Sequence, residues 1–361
     1  MNDIELKTIA IDGKARLNEV TVNGKQFQTP LFMPVATRGA LKSLPFNYLE
    51  HTDIILANTY HLFLRPGLDV IQEFDGLHKF IGWNKVILTD SGGFQGWSIP
   101  NRFNDDGIEF KNIYDGSKFF MDPKLSMDIQ QTLNSDIAMI LDSLIDINKE
   151  YDEQLNAINT TQQWANTARN YHTNNNQSLF GIVQGGKHKE LREKSATDMM
   201  TIDFDGYAIG GLAIGETPEE RKEIVNFTVE MLPKDKLRYV MGLGDIEGML
   251  ELIELGVDIF DCVWPARLAR HGKIINKGKF LNLKNSKYKK DTDPLVVGCR
   301  CFVCLNFSKA YLRHLLTNEP TSAWFYLTLH NIIQTENILN EVKKSILNSE
   351  FDKYKESILN G

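Results

Sequence analysis

The sequence predicts an α/β chain of the (β/α)8 TIM-type barrel class, and three observations carry that expectation. Short apolar, β-branched runs recur eight times with more polar, helix-length segments between them. A polar residue or a glycine stands at or just past the end of every run. The chain has 361 residues, more than the ~100 to 200 of an ordinary domain, yet it contains no Pro/Gly-rich linker that would separate independent modules.

Residues 1–28 carry two turn pairs, Asp12-Gly13 and Asn23-Gly24, and read as a small N-terminal antiparallel cap. The barrel core is expected over 29–279, with strands near 31–35, 54–57, 86–88, 137–141, 179–183, 207–209, 239–241 and 257–260. The residues at their ends are Thr37, Asn58, Asp90, Asp142, Gln184, Gly211, Gly242 and Asp261. In such a barrel the carboxyl ends of the strands line one mouth, so these eight converge on one pocket. A helix cap explains one or two of them, as Asp and Asn often serve before a helix.

Between the third and fourth strands the spacing is too long for one helix, and IEFKNIYDGSKFFM reads as a β-hairpin about Asp115-Gly116 on the mouth side. After the eighth strand come the basic stretch and a cysteine cluster, expected as a separate subdomain over 280–335, and a C-terminal helix, 336–361, whose pattern starts near Ile332 and runs to Leu359.

Composition narrows the class further. With 42% hydrophobic and 24% charged residues the chain is an ordinary globular one. No apolar run approaches the ~18 residues needed to span a bilayer, and the start, MNDIELKTIAIDG, lacks the regions of a signal peptide. The expected compartment is the cytoplasm, with no membrane partner. A net charge of -7 argues against nucleic acid only if it is evenly spread. From Cys262 to Lys290 there is no acidic residue, and Arg267, Arg270, Lys273 and six further lysines are interleaved with Trp264, Phe280 and Tyr288. Such a stretch can track a polyanion backbone, or it can be a solvated lysine-rich loop.

Two constellations carry chemistry. Cys299-Arg-Cys301-Phe-Val-Cys304 is followed after twenty-five residues by His330. Zinc takes four tetrahedral ligands, and three thiolates plus an imidazole fill that shell, which predicts one structural Zn2+ per chain. His314 and His271 compete for the fourth position. The second constellation is Asp90 and Asp261, at the ends of the third and eighth strands. Paired carboxylates in one mouth suit glycosyl transfer, one to attack or shield an oxocarbenium-like centre and one to move the leaving group's proton. Asp90 lies in LTDSGGFQ, where two glycines admit a flat ligand and Phe94 can stack on it. Cys262 has no histidine near it in sequence and reads as a small packing residue.

LFMPVAT, ANTYHLFLRPG, LTDSGGFQ, GIVQGG, YAIGGLAIGE, RYVMGLGD, FDCVWPAR and the cysteine cluster with its downstream histidine follow one another in that order. From about Asp12 to the C-terminal helix they resemble the tRNA-guanine transglycosylase family, also called queuine tRNA-ribosyltransferases. The resemblance implies a zinc-bearing (β/α)8 barrel that acts in queuosine biosynthesis. Its implied reaction exchanges the wobble guanine of tRNAs for Asp, Asn, His and Tyr against a 7-deazaguanine, through a covalent enzyme-RNA intermediate. By motif, Asp261 is then the nucleophile and Asp90 the general acid/base. Asp142, Gln184, Gly211 and Leu212 hold the base edge, Phe94 and Met241 sandwich the ring, and Glu216 steadies a backbone carbonyl facing the 7-substituent. Arg267, Arg270 and Lys273 stand within reach of the phosphates that flank a ribose over Asp261 in the anticodon loop.

Ser143-Leu144-Ile145-Asp146 and Phe94 differ from the usual bacterial pattern and look like the eukaryotic type, whereas Ile214 fills a position that is a small glycine there. The expected base is 7-aminomethyl-7-deazaguanine (preQ1), with direct queuine insertion as the alternative. In bacterial members aromatic positions similar to Phe307, Tyr311 and His314 form a homodimer contact, and the i, i+4, i+7 spacing places these three on one helix face. Two other classes remain for comparison. A barrel glycosidase for free sugars gives no reason for the cysteine cluster, and a non-catalytic tRNA-binding partner subunit gives none for retaining both Asp90 and Asp261.

Overall fold

The computed structural model describes residues 4–98 and 102–360; the outermost residues of the expected cap and of the C-terminal helix lie outside them. Strands β1 (Glu5–Asp12), β2 (Ala15–Val22) and β3 (Lys25–Thr29) form an antiparallel sheet. Asn23 and Gly24 both take positive φ, 52° and 73°, the two-residue turn whose twist matches the flanking strands.

The barrel strands begin with β4 (Leu31–Ala36), β5 (Ile54–Ala57) and β6 (Val86–Thr89), and resume with β10 (Ile137–Met139). Between them a mouth-side sheet is made by β7 (Arg102–Asn104), β8 (Gly107–Lys111) and β9 (Lys118–Met121), so the expected hairpin is present with one extra short strand. The barrel continues with β11 (Ser178–Val183), β12 (Gly206–Ile209), β13 (Leu237–Val240) and β14 (Ile259–Cys262), and closes where β14 pairs with β4, Asp261 opposite Met33. Parallel strands covered on both faces read as near-continuous apolar runs, which is why eight such runs marked all eight strands.

The cap is bolted to the amino ends of the barrel strands by two buried carboxylates. Asp258, just before β14, accepts from Arg16 Nε (2.8 Å), Asn18 Nδ2 (2.9 Å) and the Arg238 amide (2.8 Å). Asp136, just before β10, accepts from Asn23 Nδ2 (2.9 Å), Lys25 Nζ (2.7 Å) and the Ile87 amide (2.8 Å). The floor is thereby covered, and the mouth is the opposite end.

Beyond β14 the helix Trp264–Arg270 leads into a hairpin, β15 (Lys273–Asn276) with β16 (Lys279–Asn282), turning at Lys277 and Gly278, φ 48° and 83°. Two expectations need correction here. The last helix does not begin near Ile332: Pro320 opens a helix that runs to Leu347, Ser349 at φ 56° breaks it, and Phe351–Asn360 is a separate helix. Nor does Phe307 share a helix with Tyr311 and His314. It ends the short helix Phe302–Asn306, and Ser308 caps the next, Lys309–Asn318, by accepting from the Tyr311 amide. Its ring still packs against Tyr311, centroids 5.3 Å apart. No helix among the described residues is long and apolar enough to cross a membrane.

Candidate active site and metal centre

A cavity of 330 Å3 opens at the carboxyl ends of the barrel strands, and all eight strand-end residues named from the sequence line it. Apolar walls come from Leu56, Leu144, Leu212, Ile214 and Val263, with Phe94 and Met241 also in the lining.

Asp90 follows β6, where Oδ1 accepts the Thr59 amide (2.9 Å) and the Gly92 amide (3.2 Å) while Oδ2 accepts Asn58 Nδ2. Asn58 uses its other atom, Oδ1, to cap the helix Thr59–Leu64 at the His61 amide (2.9 Å), so one side chain both starts a helix and fixes the carboxylate. Burial pushes Asp90 up to about 7, against those hydrogen bonds, and the nearby Asp261 charge adds to the rise. A carboxyl poised there holds or releases a proton at neutral pH.

Asp261 lies within β14, 9% exposed. Its Oδ1 accepts from Tyr239 Oη (2.5 Å) and the Gly242 amide (2.8 Å), and Oδ2 has no hydrogen-bond partner among the described residues. Burial raises its pKa, opposed by those two donors. Burial also holds the Tyr239 phenol well above its ordinary value, so it stays a donor. The neighbouring Cys262 thiol is pushed up to about 11 by burial and the Asp261 charge, which leaves it protonated and unreactive near neutral pH.

Asp142 and Gln184 meet through Nε2 to Oδ2, 2.6 Å, and burial pushes Asp142 up to about 6. Gly93 has a specific reason to be glycine: a Cβ there would lie 2.8 Å from Asp142 Oδ1. Past Gly211, the loop is held by Glu216, which accepts from the Ala213 amide (2.6 Å) and the Ile214 amide (3.1 Å). Arg267 and Lys273 are exposed and Arg270 is half-buried; they lie on the elements that directly follow Asp261, outside the cavity lining.

The second centre lies behind that helix. The donor atoms of Cys299, Cys301, Cys304 and His330 all fall within 4.8 Å of one another. His330 Nδ1 is 3.4 Å from Cys301 Sγ and 3.3 Å from Cys304 Sγ. Bonds of ~2.3 Å to sulfur and ~2.1 Å to nitrogen give a tetrahedral N···S edge of ~3.5 Å, so the residues fit a four-coordinate metal. His330 Nε2 faces the Ile275 carbonyl at 3.1 Å, which keeps Nδ1 free as the ligand atom. Gln334 Nε2 donates to Cys299 Sγ (3.1 Å). His271 and His314 are exposed and stand outside this group, so His330 is the histidine that the fold brings to the three thiols.

The sequence reading gave no role to Tyr239, to Asn58 beyond its strand end, or to Asn331. Asn331 is buried beside His330 and ties the metal-side helix to Pro265 O (3.0 Å), Lys273 O (3.1 Å) and the Ile275 amide (2.9 Å).

The family model described as queuine tRNA-ribosyltransferase matches residues 12–361. The chain belongs to the queuine tRNA-ribosyltransferase family. It is therefore an enzyme of the tRNA-guanine transglycosylase class. Family members include the queuine tRNA-ribosyltransferase of Dictyoglomus turgidum, 42% identical over 353 residues, which cover 96% of this chain and 91% of that one. The enzyme of the same name from Bacillus subtilis is 41% identical over 347 residues, 95% and 91% of the two chains. That of Francisella tularensis subsp. novicida is 40% identical over 363 residues, 99% of each.

Proposed function

We propose that this enzyme replaces the wobble guanine of GUN-anticodon tRNAs, those for Asp, Asn, His and Tyr, by 7-aminomethyl-7-deazaguanine through a covalent enzyme-RNA intermediate. The observation that carries the reading is the pairing of Asp261, with one oxygen held by Tyr239 and Gly242 and the other uncommitted, with Asp90, poised near neutrality, in one cavity. An Asp261 oxygen attacks the ribose C1′ and the bond to guanine N9 breaks, its electrons leaving with guanine as Asp90 supplies the proton. The incoming base then gives its N9 proton to Asp90 and displaces Asp261, so the configuration at C1′ is retained over two inversions.

Asp142 offers a carboxylate to the adjacent N–H groups of the purine edge, which it can receive bidentately. Gln184, Gly211 and Leu212 complete the edge contacts, and Phe94 and Met241 flank the ring. Ile214 and Leu144 line the cavity, which favours the smaller aminomethyl base over queuine. Incorporation of labelled guanine into tRNA tests the reaction, and competition between preQ1 and queuine tests the base. An enzyme that releases label faster with queuine would reverse the base assignment. In this reading tRNA is the RNA partner and the cytoplasm is the compartment of the reaction.

Cys299, Cys301, Cys304 and His330 hold one Zn2+ in this reading, and the ion supplies structure, since four protein ligands leave no open position. Cys301→Ala is expected to lose the metal by elemental analysis and to unfold the C-terminal subdomain first. A metal-free protein that stays folded and active would remove the structural role.

RNA reaches the mouth along Arg267, Arg270 and Lys273 and the exposed lysines beyond them. Replacing Lys287, Lys289 and Lys290 by glutamine should weaken tRNA binding and lower the salt dependence, by roughly 0.7 to 0.9 in log-log slope per lost phosphate contact. Turnover at saturating tRNA should remain. An unchanged slope would make these lysines a solvated face.

Phe307 and Tyr311, with the exposed Phe302 and Leu305 nearby, form an aromatic-aliphatic surface that supports a homodimer. Sedimentation at micromolar concentration is expected to show it, and a clean monomer would exclude it.

A further inference from the structure

Arg192 is the largest fully buried side chain among the described residues, and it lies behind the cavity wall formed by Gln184 and Gly211. It stands on the helix Lys189–Ile202 that follows β11. Its Nε donates to Gly186 O (3.0 Å), and its Nη1 donates to Val183 O (3.1 Å) and Gly210 O (2.9 Å). The Val183 and Gly210 carbonyls belong to the peptides that lead from β11 into Gln184 and from Gly210 into Gly211, and the Gly186 carbonyl lies in the loop after β11.

The geometry constrains one group in particular. In a trans peptide the carbonyl and the following N–H point in opposite directions. With Gly210 O turned onto Arg192, the Gly211 N–H is turned away from it, and that N–H has no acceptor among the described residues. Gly211 takes φ +68°, and a Cβ there would lie 2.7 Å from Gln184 Oε1 and 3.4 Å from Arg192 Nη2. The backbone at 211 is therefore fixed from two sides.

Stability alone does not account for this arginine. Its Nη2 is buried without a partner, and a buried charge is costly unless every donor is met. Burial pulls the guanidinium down to about 10, with Glu216 opposing, so it remains charged at neutral pH. An apolar side chain of similar volume would fill the space at lower desolvation cost but would leave the Gly186 and Gly210 carbonyls without their donor, while Val183 O would keep the Gly210 amide (3.0 Å).

We infer that Arg192 is a positioning residue for base recognition: by holding Val183, Gly186 and Gly210 carbonyls it aims the Gly211 N–H at an acceptor oxygen on the bound base. The inference rests on the proposed reading of the cavity as a purine-base site. Arg192 touches no substrate and acts through the peptide it holds.

The test compares two free bases, guanine and 2-aminopurine, which lacks the carbonyl oxygen and the adjacent N1 proton, by calorimetry on wild type, R192K and R192M, reading how the difference between the bases changes from one protein to the next. Lysine keeps the charge but cannot reproduce a three-carbonyl fork. In both variants guanine should bind roughly 10- to 100-fold more weakly, as expected when buried partners are left unmet or misaligned, with 2-aminopurine unchanged, so that the wild-type preference for guanine shrinks. A folded variant with the wild-type preference overturns the inference, as does equal weakening of both bases. Loss of folding in both variants also overturns it, because the role would then be structural. The measurement uses no tRNA. Failure of the wild type to exchange guanine into tRNA therefore counts against the proposed reaction alone, and an unaltered ratio in R192K counts against Arg192 alone.

Discussion

Asp261→Asn is expected to abolish both guanine exchange and the covalent RNA adduct, with a loss of at least ~10,000-fold in turnover, the scale seen when a nucleophile is removed. The amide is nearly isosteric and can still accept from Tyr239 and the Gly242 amide, so the fold around β14 should persist. What disappears is the anionic oxygen that bonds C1′. Wild-type enzyme incubated with tRNA and no second base should give a band of enzyme-linked RNA on a denaturing gel. The same band from the Asn variant would assign the nucleophile to another residue. Cys262 is a poor substitute, since its thiol stays protonated near neutral pH.

Asp90→Asn should cut exchange by ~100- to 10,000-fold by removing proton transfer. The pH dependence identifies the cause. In the proposed reaction Asp90 is protonated to release guanine and ionised to receive the proton of the incoming base, so with a pKa of about 7 adduct formation should decline as pH rises through 7 and the second step as pH falls through it. In the variant that inflection should vanish. Stability moves in the opposite direction. The folded-state pKa is above the ordinary 3.8, so the folded chain holds a proton that the unfolded chain has shed, and the wild type loses stability as pH rises from about 4 to about 7. The Asn variant lacks this penalty and should melt no lower than wild type at pH 8. Near-normal exchange by a well-folded variant would mean that another group moves the proton.

Most of the barrel was legible because its signal is local. Val86–Thr89 is an apolar run closed by a polar residue, Ile137–Met139 continues apolar through Leu141 to Asp142, and parallel strands buried on both faces leave such runs in the sequence. The strand-end rule then delivered the cavity, since the barrel itself brings Thr37 and Asp261 to one rim from opposite ends of the core sequence. Less legible were groups that act through long-range pairing. Tyr239 reads as one more strand aromatic until β13 and β14 lie side by side and its hydroxyl meets Asp261. Arg192 reads as a helix-surface cation in KELREKS, and only the helix's seat against β11 and β12 buries it. The final helix was misjudged because its start depends on Pro320 and its end on a single positive φ at Ser349, neither of which alters the apolar periodicity.

The covered floor has a kinetic consequence. With Asp258 and Asp136 fastening the cap across the amino ends of the strands, and side chains filling the barrel below, the cavity opens at the carboxyl ends of the strands. In the proposed reaction departing guanine and arriving base use that mouth in turn while the ribose is tethered across it. The two cannot occupy the site together, so the steady-state pattern is ping-pong: reciprocal plots against tRNA at several fixed concentrations of the second base should be parallel, and guanine should inhibit competitively against that base.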